Sequence, residues 1–373
     1  MVSPSLAPSL SLMTTGPAYR VAVVFGDGIG PSVVEAACAV LDATEVPLRW
    51  ISLEMGIQAF HRIGQALAPS ILEDIRDIGV VLKGPLETRP DSPFASVNVR
   101  LRRELGLRAQ VRPVRNIPGL PSRFVGIDLM VVRETTEDLY QGIEFHAGTV
   151  AATELVRWLG HQGHQVASDS GLSIKPISGS AIRAFLEIAL RYLNVTERRH
   201  VTIVHKATVM RATDALFVSE ASAAMTKESR LDFDTMTVDA MASALVRRPQ
   251  DFDVILTTNQ YGDILSDLAS GLTGGVGLAP GMNLGPGIAI FEAAHGTAPR
   301  HVDVNSANPL ALILSGAMLL DHLGEHLAAG RVRLAVESVV AEGTSLPADL
   351  RPGTDSRPAA TTDQVAAAVI AHL

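Results

Sequence analysis

Asp263 and Asp267 stand four residues apart in the run NQYGDILSDLASGLTGGVG, so a helix starting near Gly262 would project both carboxylates from one face, about 6 Å apart. Two like charges held that way destabilise an isolated helix by about 0.2–0.5 kcal/mol. A divalent cation removes that penalty, and an all-oxygen ligand pair suits Mg²⁺ or Mn²⁺. Taken alone, such a pair is more often a solvated helix face bearing two unrelated acids, so the rest of the sequence must decide.

Four further segments carry chemistry when read together. In SVNVRLRREL, Ser96 is placed to cap a helix, and Asn98 and Arg102, four apart, share a face. Arg112 in QVRPVR and Arg133 in VVRETTEDLY end strand-like runs, the latter followed by Tyr140. Lys206 ends another strand in VHKATVMRATD. Singly, each arginine suits a surface charge, and the lysine a salt bridge as well as a catalytic base. Three arginines converging on one pocket would hold carboxylates bidentately, each charge-assisted bond contributing roughly 1.5–3 kcal/mol.

The elements that must position these residues are legible as buried apolar runs. VAVVF (21–25) leads through GDGIG into Pro31 at a helix start, a strand, turn and helix unit. Similar strands are predicted at 79–83, 128–133, 201–205 and 253–257, separated mostly by helical patterns. Helices are expected near 31–43, 97–105, 179–193, 208–227, 239–247, 263–272, 308–327 and 362–372, the last with a capping box from Thr361 to Gln364. The Pro- and Gly-rich stretches at 113–121 and 274–287 are candidate crossings between lobes. GDGIGP lacks the third glycine and the later acid of a dinucleotide fingerprint and reads as a tight turn.

Composition bounds the rest. A chain of 373 residues exceeds one ordinary core and suggests two lobes, and 47% apolar residues with 4% aromatics fits an α/β class. A net charge of −8 disfavours nucleic acid but not an anionic small substrate held by local arginines. Cys38 is the one cysteine, which excludes an internal disulfide, fits a reducing, cytoplasmic setting and reads as a core thiol. No run reaches the roughly 18 apolar residues of a membrane span. Residues 1–19 carry no charged side chain before Arg20, lack the basic region of a secretory signal, and read as a disordered tail; Met13 is an alternative start.

With these residues in view, the chain resembles the metal-dependent β-decarboxylating dehydrogenases, the isocitrate/isopropylmalate dehydrogenase family. The likeness runs from about Val21 to the C-terminus and is most specific in NQYGDILSDLASGLTGGVGLAPG and FEAAHGTAP, with GDGIGP, KGPLET and IKPIS in support. It implies that Arg102, Arg112 and Arg133 hold the malate portion of the substrate. It further implies that Tyr140 is the general acid after CO₂ leaves and that Lys206, from a neighbouring subunit, is the base for the 2-hydroxyl. Asp239 in TVDAMA, also across the interface, would join Asp263 and Asp267 as metal ligands, so that the site requires a homodimer. The implied fold is two lobes around a mixed, largely parallel sheet rather than a standard Rossmann fold. Residues 20–107 and 274–373 would form the large domain with the cofactor loop, and 108–273 the small domain with the metal site and dimer interface.

Ser96 and Asn98 stand where isocitrate enzymes meet the distal carboxylate, whereas isopropylmalate enzymes place apolar residues there and homoisocitrate enzymes an arginine near Val99. The preceding stretch TRPDSPFAS departs from the glycine-rich loop usual in isocitrate enzymes and leaves room for an isocitrate analogue. D-malate and tartrate remain alternatives. His295, Gly296, Thr297 and Ala298 resemble the adenosine-wrapping loop. Arg300 and His301 replace the aspartate of NAD-dependent members and suit a 2′-phosphate; Arg351 aligns with a phosphate-contacting arginine, although Pro347 replaces a tyrosine. NADP is therefore favoured over NAD, with Asn308 at the adenine and Glu87 and Thr88 at the nicotinamide. From other classes, a non-catalytic regulatory subunit conflicts with the intact site residues, and a flavodoxin-like binding domain would need no metal carboxylates.

Overall fold

β1 (Tyr19–Val24) is the sequence's clearest buried strand, and residues 21–24 are wholly buried. It pairs in parallel with β2 (Leu48–Ser52) on one side and β3 (Val80–Lys83) on the other. The chain continues through β4 (Ala109–Arg115), β5 (Asp128–Glu134), β6 (Glu144–Phe145), β7 (Leu172–Ser173), β8 (His200–His205), β9 (Asp232–Thr237), β10 (Val254–Thr257), β11 (Pro280–Gly285) and β12 (Ile288–Ala293). This is a computed structural model, and it describes residues 18–88, 94, 96–299, 302, 305–351 and 357–373. Residues 1–17 of the expected tail lie outside the described residues; Tyr19, left in that tail by the sequence reading, instead opens β1.

Ten strands form one mixed sheet in the order β2-β1-β3-β12-β11-β4-β5-β10-β8-β9, and β6 and β7 form a separate antiparallel pair. Pairing is parallel on both flanks and antiparallel only where β11 meets β12 and β4, and β4 meets β5. The two parallel flanks therefore run in opposite directions and meet at β11 and β4. The α/β class with a mixed, largely parallel sheet is borne out.

The two stretches read as breaks contain part of that centre. β4 runs through Pro113 to Arg115 because its pairing with β11 covers only Ala109 to Val111, so the missing proline N–H falls beyond the end of its neighbour. The glycines of PGMNLG are likewise inside β11. Two helices, Leu310–His322 and His326–Glu342, replace the single one expected at 308–327; Gly324, at φ +88°, separates them. Residues 310–320 are buried all round, and Ala317 to Leu320 pack in the same core as Val33 to Leu41 of the helix Gly30–Asp42. Cys38 packs against this core, and burial pushes its thiol up to about 12. The Thr361–Gln364 capping box forms with both of its bonds.

Candidate active site

The helix carrying the aspartates, Asn259–Gly271, starts a turn earlier than the sequence suggested, directly after β10. Asp263 thus lies in its second turn, above the end of β5. A Cβ added at Gly262 would sit 2.2 Å from the Cβ of Arg133, so only glycine lets the arginine stem cross the helix here. Arg133 is 1% exposed and forms an ion pair with Asp263 through Nη1, while Nη2 donates to Asn259 Oδ1 at 2.8 Å. Tyr140, from the short turn Asp138–Gln141, donates its hydroxyl to the other oxygen of Asp263, and its ring lies 5.4 Å from the Arg133 guanidinium.

Arg112 reaches the same helix from β4. Its Nη1 donates to Ser266 Oγ at 2.6 Å and Asp267 Oδ1 at 2.7 Å, and its Nη2 lies 3.7 Å from Asp263. Arg102 arrives from the helix Val97–Glu104, with Glu292 of β12 at 3.6 Å. Burial, reinforced by the neighbouring charges of Arg133 and Arg112, lowers Arg102 to about 10. Three guanidinium groups therefore share one poorly solvated space.

The aspartates respond oppositely to that space. Burial raises both, but Arg133, Tyr140 and Arg112 together hold Asp263 below the ordinary carboxylate range. At Asp267 burial and the Asp263 charge outweigh Arg112, and its carboxyl lies above that range. Tyr140 is pushed up to about 12 by burial and by its bond to Asp263.

A polar row behind the arginines was not singled out from the sequence. Glu292 pairs with Lys83 at 2.6 Å, accepts from Asn283 at 2.7 Å and receives a longer bond from Gln110 at 3.4 Å. Burial would raise Glu292, but Lys83 and Arg102 outweigh it and hold it at about 2. The available signal was a charged residue at or next to the end of each of two otherwise apolar strands, VVLK and IAIFEA, inside the motifs KGPLET and FEAAHGTAP. Among the described residues, Asn98 Oδ1, Gln110 Oε1, and the Nε atoms of Arg112 and Arg133 are buried without a hydrogen-bond partner, so this centre has polar capacity that the described fold leaves unused.

Ser96 heads its helix but makes no side-chain cap bond; its hydroxyl instead lies 3.1 Å from that of Thr88. The capping role is corrected accordingly, because Thr88 Oγ1 is within reach of the serine.

Lys206 and Asp239 are brought to each other but not to the arginine cluster. They form an ion pair at the ends of β8 and β9, and Lys206 lowers the Asp239 carboxyl. Among the described residues no hydrogen bond or ion pair joins them to Arg133, Tyr140, Asp263 or Asp267, and no three metal-ligating side chains come together. Asp263 and Asp267 nevertheless fit a hard divalent cation. They are oxygen donors one turn apart, with side chains 35% and 54% exposed, and burial together with the Asp263 charge raises Asp267.

GDGIGP, read as a plain turn, is also a docking surface for HGTAP. Gly28 has φ +62°, and an added Cβ would stand 2.2 Å from the carbonyl oxygen of Thr297; Ile29 N–H donates to that oxygen at 3.1 Å. Asp27, 2% exposed, accepts the main-chain N–H of Ile57 at 3.0 Å and of Glu87 at 2.8 Å, binding the turn to KGPLET. Gly296 has open space at its Cα and Ala298 takes φ +39°. His295 Nδ1 meets Gly296 O at 3.1 Å, Nε2 is buried without a partner among the described residues, and burial lowers the imidazole. The side-chain amide of Asn308 is committed internally, accepting from Leu310 N–H and donating to Asp349, each at 3.0 Å. Arg351 follows the short helix Ala348–Leu350. Arg300, His301 and residues 89–93 and 95 of TRPDSPFAS lie outside the described residues.

The family described as isocitrate/isopropylmalate dehydrogenase matches residues 20–369. An NADP isocitrate dehydrogenase of Archaeoglobus fulgidus is 35% identical over 347 residues, covering 85% of this chain and 84% of that protein. A 3-isopropylmalate dehydrogenase of Methanothermobacter thermautotrophicus is 36% identical over 328 residues, covering 88% and 92%. The crystal structure of isocitrate dehydrogenase from Methylococcus capsulatus superposes with a TM-score of 0.85 at 39% identity, over 95% of this chain and 99% of that one.

Proposed function

The chain belongs to the isocitrate/isopropylmalate dehydrogenase family, and from that premise we propose that it oxidatively decarboxylates isocitrate or a close 2-hydroxy-3-carboxy analogue, with NADP favoured over NAD. It is a decarboxylating dehydrogenase by membership, and its family acts on small carboxylic acids with a nicotinamide cofactor. The observation that carries the substrate reading is the convergence of Arg102, Arg112 and Arg133 beside Tyr140 and Asp263, with Asn98 four residues before Arg102 on the same face of the helix Val97–Glu104. Polar groups near the third carboxylate distinguish isocitrate from isopropylmalate, whose distal group is apolar.

In the proposed reaction the guanidinium groups turn from Asp263 and Asp267 to the substrate carboxylates, which offer the same bidentate geometry. The two freed aspartates, with Asp239 of a second copy, would hold Mg²⁺ or Mn²⁺. When bound, the ion acidifies the 2-hydroxyl and stabilises negative charge on the neighbouring oxygen. Lys206 of the second copy removes the hydroxyl proton as hydride passes from C2 to the nicotinamide. The C3 carboxylate, now β to a ketone, leaves as CO₂, and its electron pair remains on C3. Tyr140 donates its proton to C3; burial pushes its hydroxyl up, so it is protonated at neutral pH.

A homodimer with shared sites follows from this reading, since Lys206 and Asp239 pair away from the arginine cluster within one chain. Segments 20–107 with 274–373 and segment 108–273 are read as its large and small lobes. The test is nicotinamide reduction with Mn²⁺ and each of isocitrate, homoisocitrate, 3-isopropylmalate, D-malate and tartrate, paired with NAD and NADP. Preferred turnover of isocitrate with NADP is expected. Preferred turnover of 3-isopropylmalate would overturn the assignment of the distal pocket.

A further inference from the structure

IKPIS contributes none of the residues given a chemical role, yet its lysine lies between the elements that carry Tyr140 and Lys206. The Lys175 side chain is 12% exposed, donates to Asp214 Oδ1 at 2.7 Å and lies 3.9 Å from Asp138 Oδ1. Both carboxylates are completely buried. The ring of Tyr261 lies 4.7 Å from the ammonium and Met210 Sδ 3.7 Å, so the lysine is enclosed on its apolar sides as well.

Each aspartate is fastened to one of the two chemical elements. Asp138 opens the turn that bears Tyr140, and its Oδ2 accepts the N–H of Gln260, at the start of the aspartate helix, at 3.0 Å. It does so at φ +73°, a backbone strain that a non-glycine residue sustains only where its surroundings fix it. Asp214 opens the helix Asp214–Met225, and its Oδ2 accepts the main-chain N–H of Lys206 at 2.7 Å. The rest of IKPIS is bound to the same turn: Pro176 O accepts from Asp138 N–H at 3.1 Å, and Ser178 donates to Glu137 through N–H at 2.6 Å and Oγ at 2.7 Å.

We propose that Lys175 is a positioning residue, a buried cation that holds the Tyr140 turn and the Lys206 strand end in fixed relation through Asp138 and Asp214. The catalytic consequence rests on the reading of Tyr140 and Lys206 as acid and base. Because Lys206 serves the partner's site in that reading, one lysine ties the acid of one site to the base of the other. Two buried carboxylates require a cation in any case; the same cation also sets where both proton-transfer groups stand.

The test compares Lys175→Met, Lys175→Arg and Asp138→Asn in the full chain. Asparagine tolerates positive φ and keeps an acceptor oxygen, so Asp138→Asn removes charge without removing the turn. Amide exchange is followed by mass spectrometry over 138–142 and 205–210, and kcat and KM for the preferred 2-hydroxy acid are measured beside it. Lys175→Met and Asp138→Asn are expected to speed exchange in both segments and to lower kcat about tenfold or more, with KM within about twofold. Lys175→Arg should restore part of kcat. Unchanged exchange in both segments of Lys175→Met overturns the clamp whatever the activity. Faster exchange with unaltered kcat in all three variants overturns the positioning role and leaves a structural brace. Faster exchange in a chain whose wild type turns over none of the five acids supports the clamp and refutes the functional reading instead.

Discussion

The stem of Arg133 crosses the helix Asn259–Gly271 at Gly262 and delivers its guanidinium to Asp263, the next residue along. One pair thus joins the end of β5 to a proposed metal ligand, and the absence of a side chain at position 262 makes the crossing possible. Gly262→Ala should force the arginine off its path, because the new Cβ would lie 2.2 Å from that of Arg133. Overpacking of this kind costs about 1–3 kcal/mol. A lowered midpoint in denaturant, together with a raised KM for the acid substrate, would bear this out; wild-type stability and KM would show that the helix yields freely.

Arg133→Lys keeps the charge but replaces a planar fork by a point donor. Losing one charge-assisted bond of roughly 1.5–3 kcal/mol lowers kcat/KM roughly 10- to 100-fold. Steady-state kinetics with the preferred substrate measure this directly, and an unchanged kcat/KM would remove Arg133 from substrate binding.

Tyr140→Phe is expected to lower kcat roughly 100-fold or more as the protonation of C3 loses its proposed donor, while leaving nicotinamide binding intact. Supplying the 2-keto-3-carboxy intermediate and following CO₂ release with product protonation isolates that step. Wild-type rates in the variant would assign the proton to another group.

Glu292 makes a specific contribution to acid stability. Its carboxyl binds a proton more weakly when folded, at about 2, than at its ordinary 4.5. Its ionisation therefore stabilises the fold fully above pH 4.5, and that contribution is lost as pH falls from there towards 2; integrated over the shift it amounts to roughly 3 kcal/mol. Glu292→Gln should flatten the pH dependence of unfolding free energy in this window. Equal slopes for both proteins would contradict the assignment.

Arg300→Asp is expected to weaken NADP more than NAD, because it would replace a proposed partner of the 2′-phosphate with a repelling charge. Fluorescence titration of both cofactors reads the ratio, and an unchanged preference removes Arg300 from cofactor choice.

Much of this architecture was written plainly in the chain, and the exceptions have physical causes. β1, β3, β5, β8 and β10 are continuous apolar runs with sharp ends, and their neighbours in the sheet supply no conflicting signal. β9 reads DFDTMT and β2 reads LRWIS, edge strands whose polar residues face outward and hide the run. β11 and β4 contain the glycines and the proline that elsewhere mark turns, and only their place in the centre of the sheet explains them. Asp263, Asp267 and the three arginines could be singled out by type and spacing, but taken alone they fit a solvated face and surface charges, and their joint role is implied by the family resemblance. Lys83 and Glu292 were not singled out, since a charge at or next to a strand end looks like a solvated boundary until the partner strand β12 places the two side by side. Lys175 was hidden similarly, because both of its carboxylates come from distant segments.

Mixing two inactive variants decides whether a second copy completes the site. Lys206→Met lacks the proposed base and Tyr140→Phe lacks the proposed acid. If Lys206 serves its partner's site, a mixed dimer holds one site with both groups intact and one with neither. Unfolded together in equal amounts and refolded, the variants should then recover roughly a quarter of the wild-type rate, since half of the dimers are mixed and half of their sites are complete. If both groups serve their own chain, every site in every mixed dimer lacks one of them, and recovery no greater than the sum of the two separate variants would contradict the account.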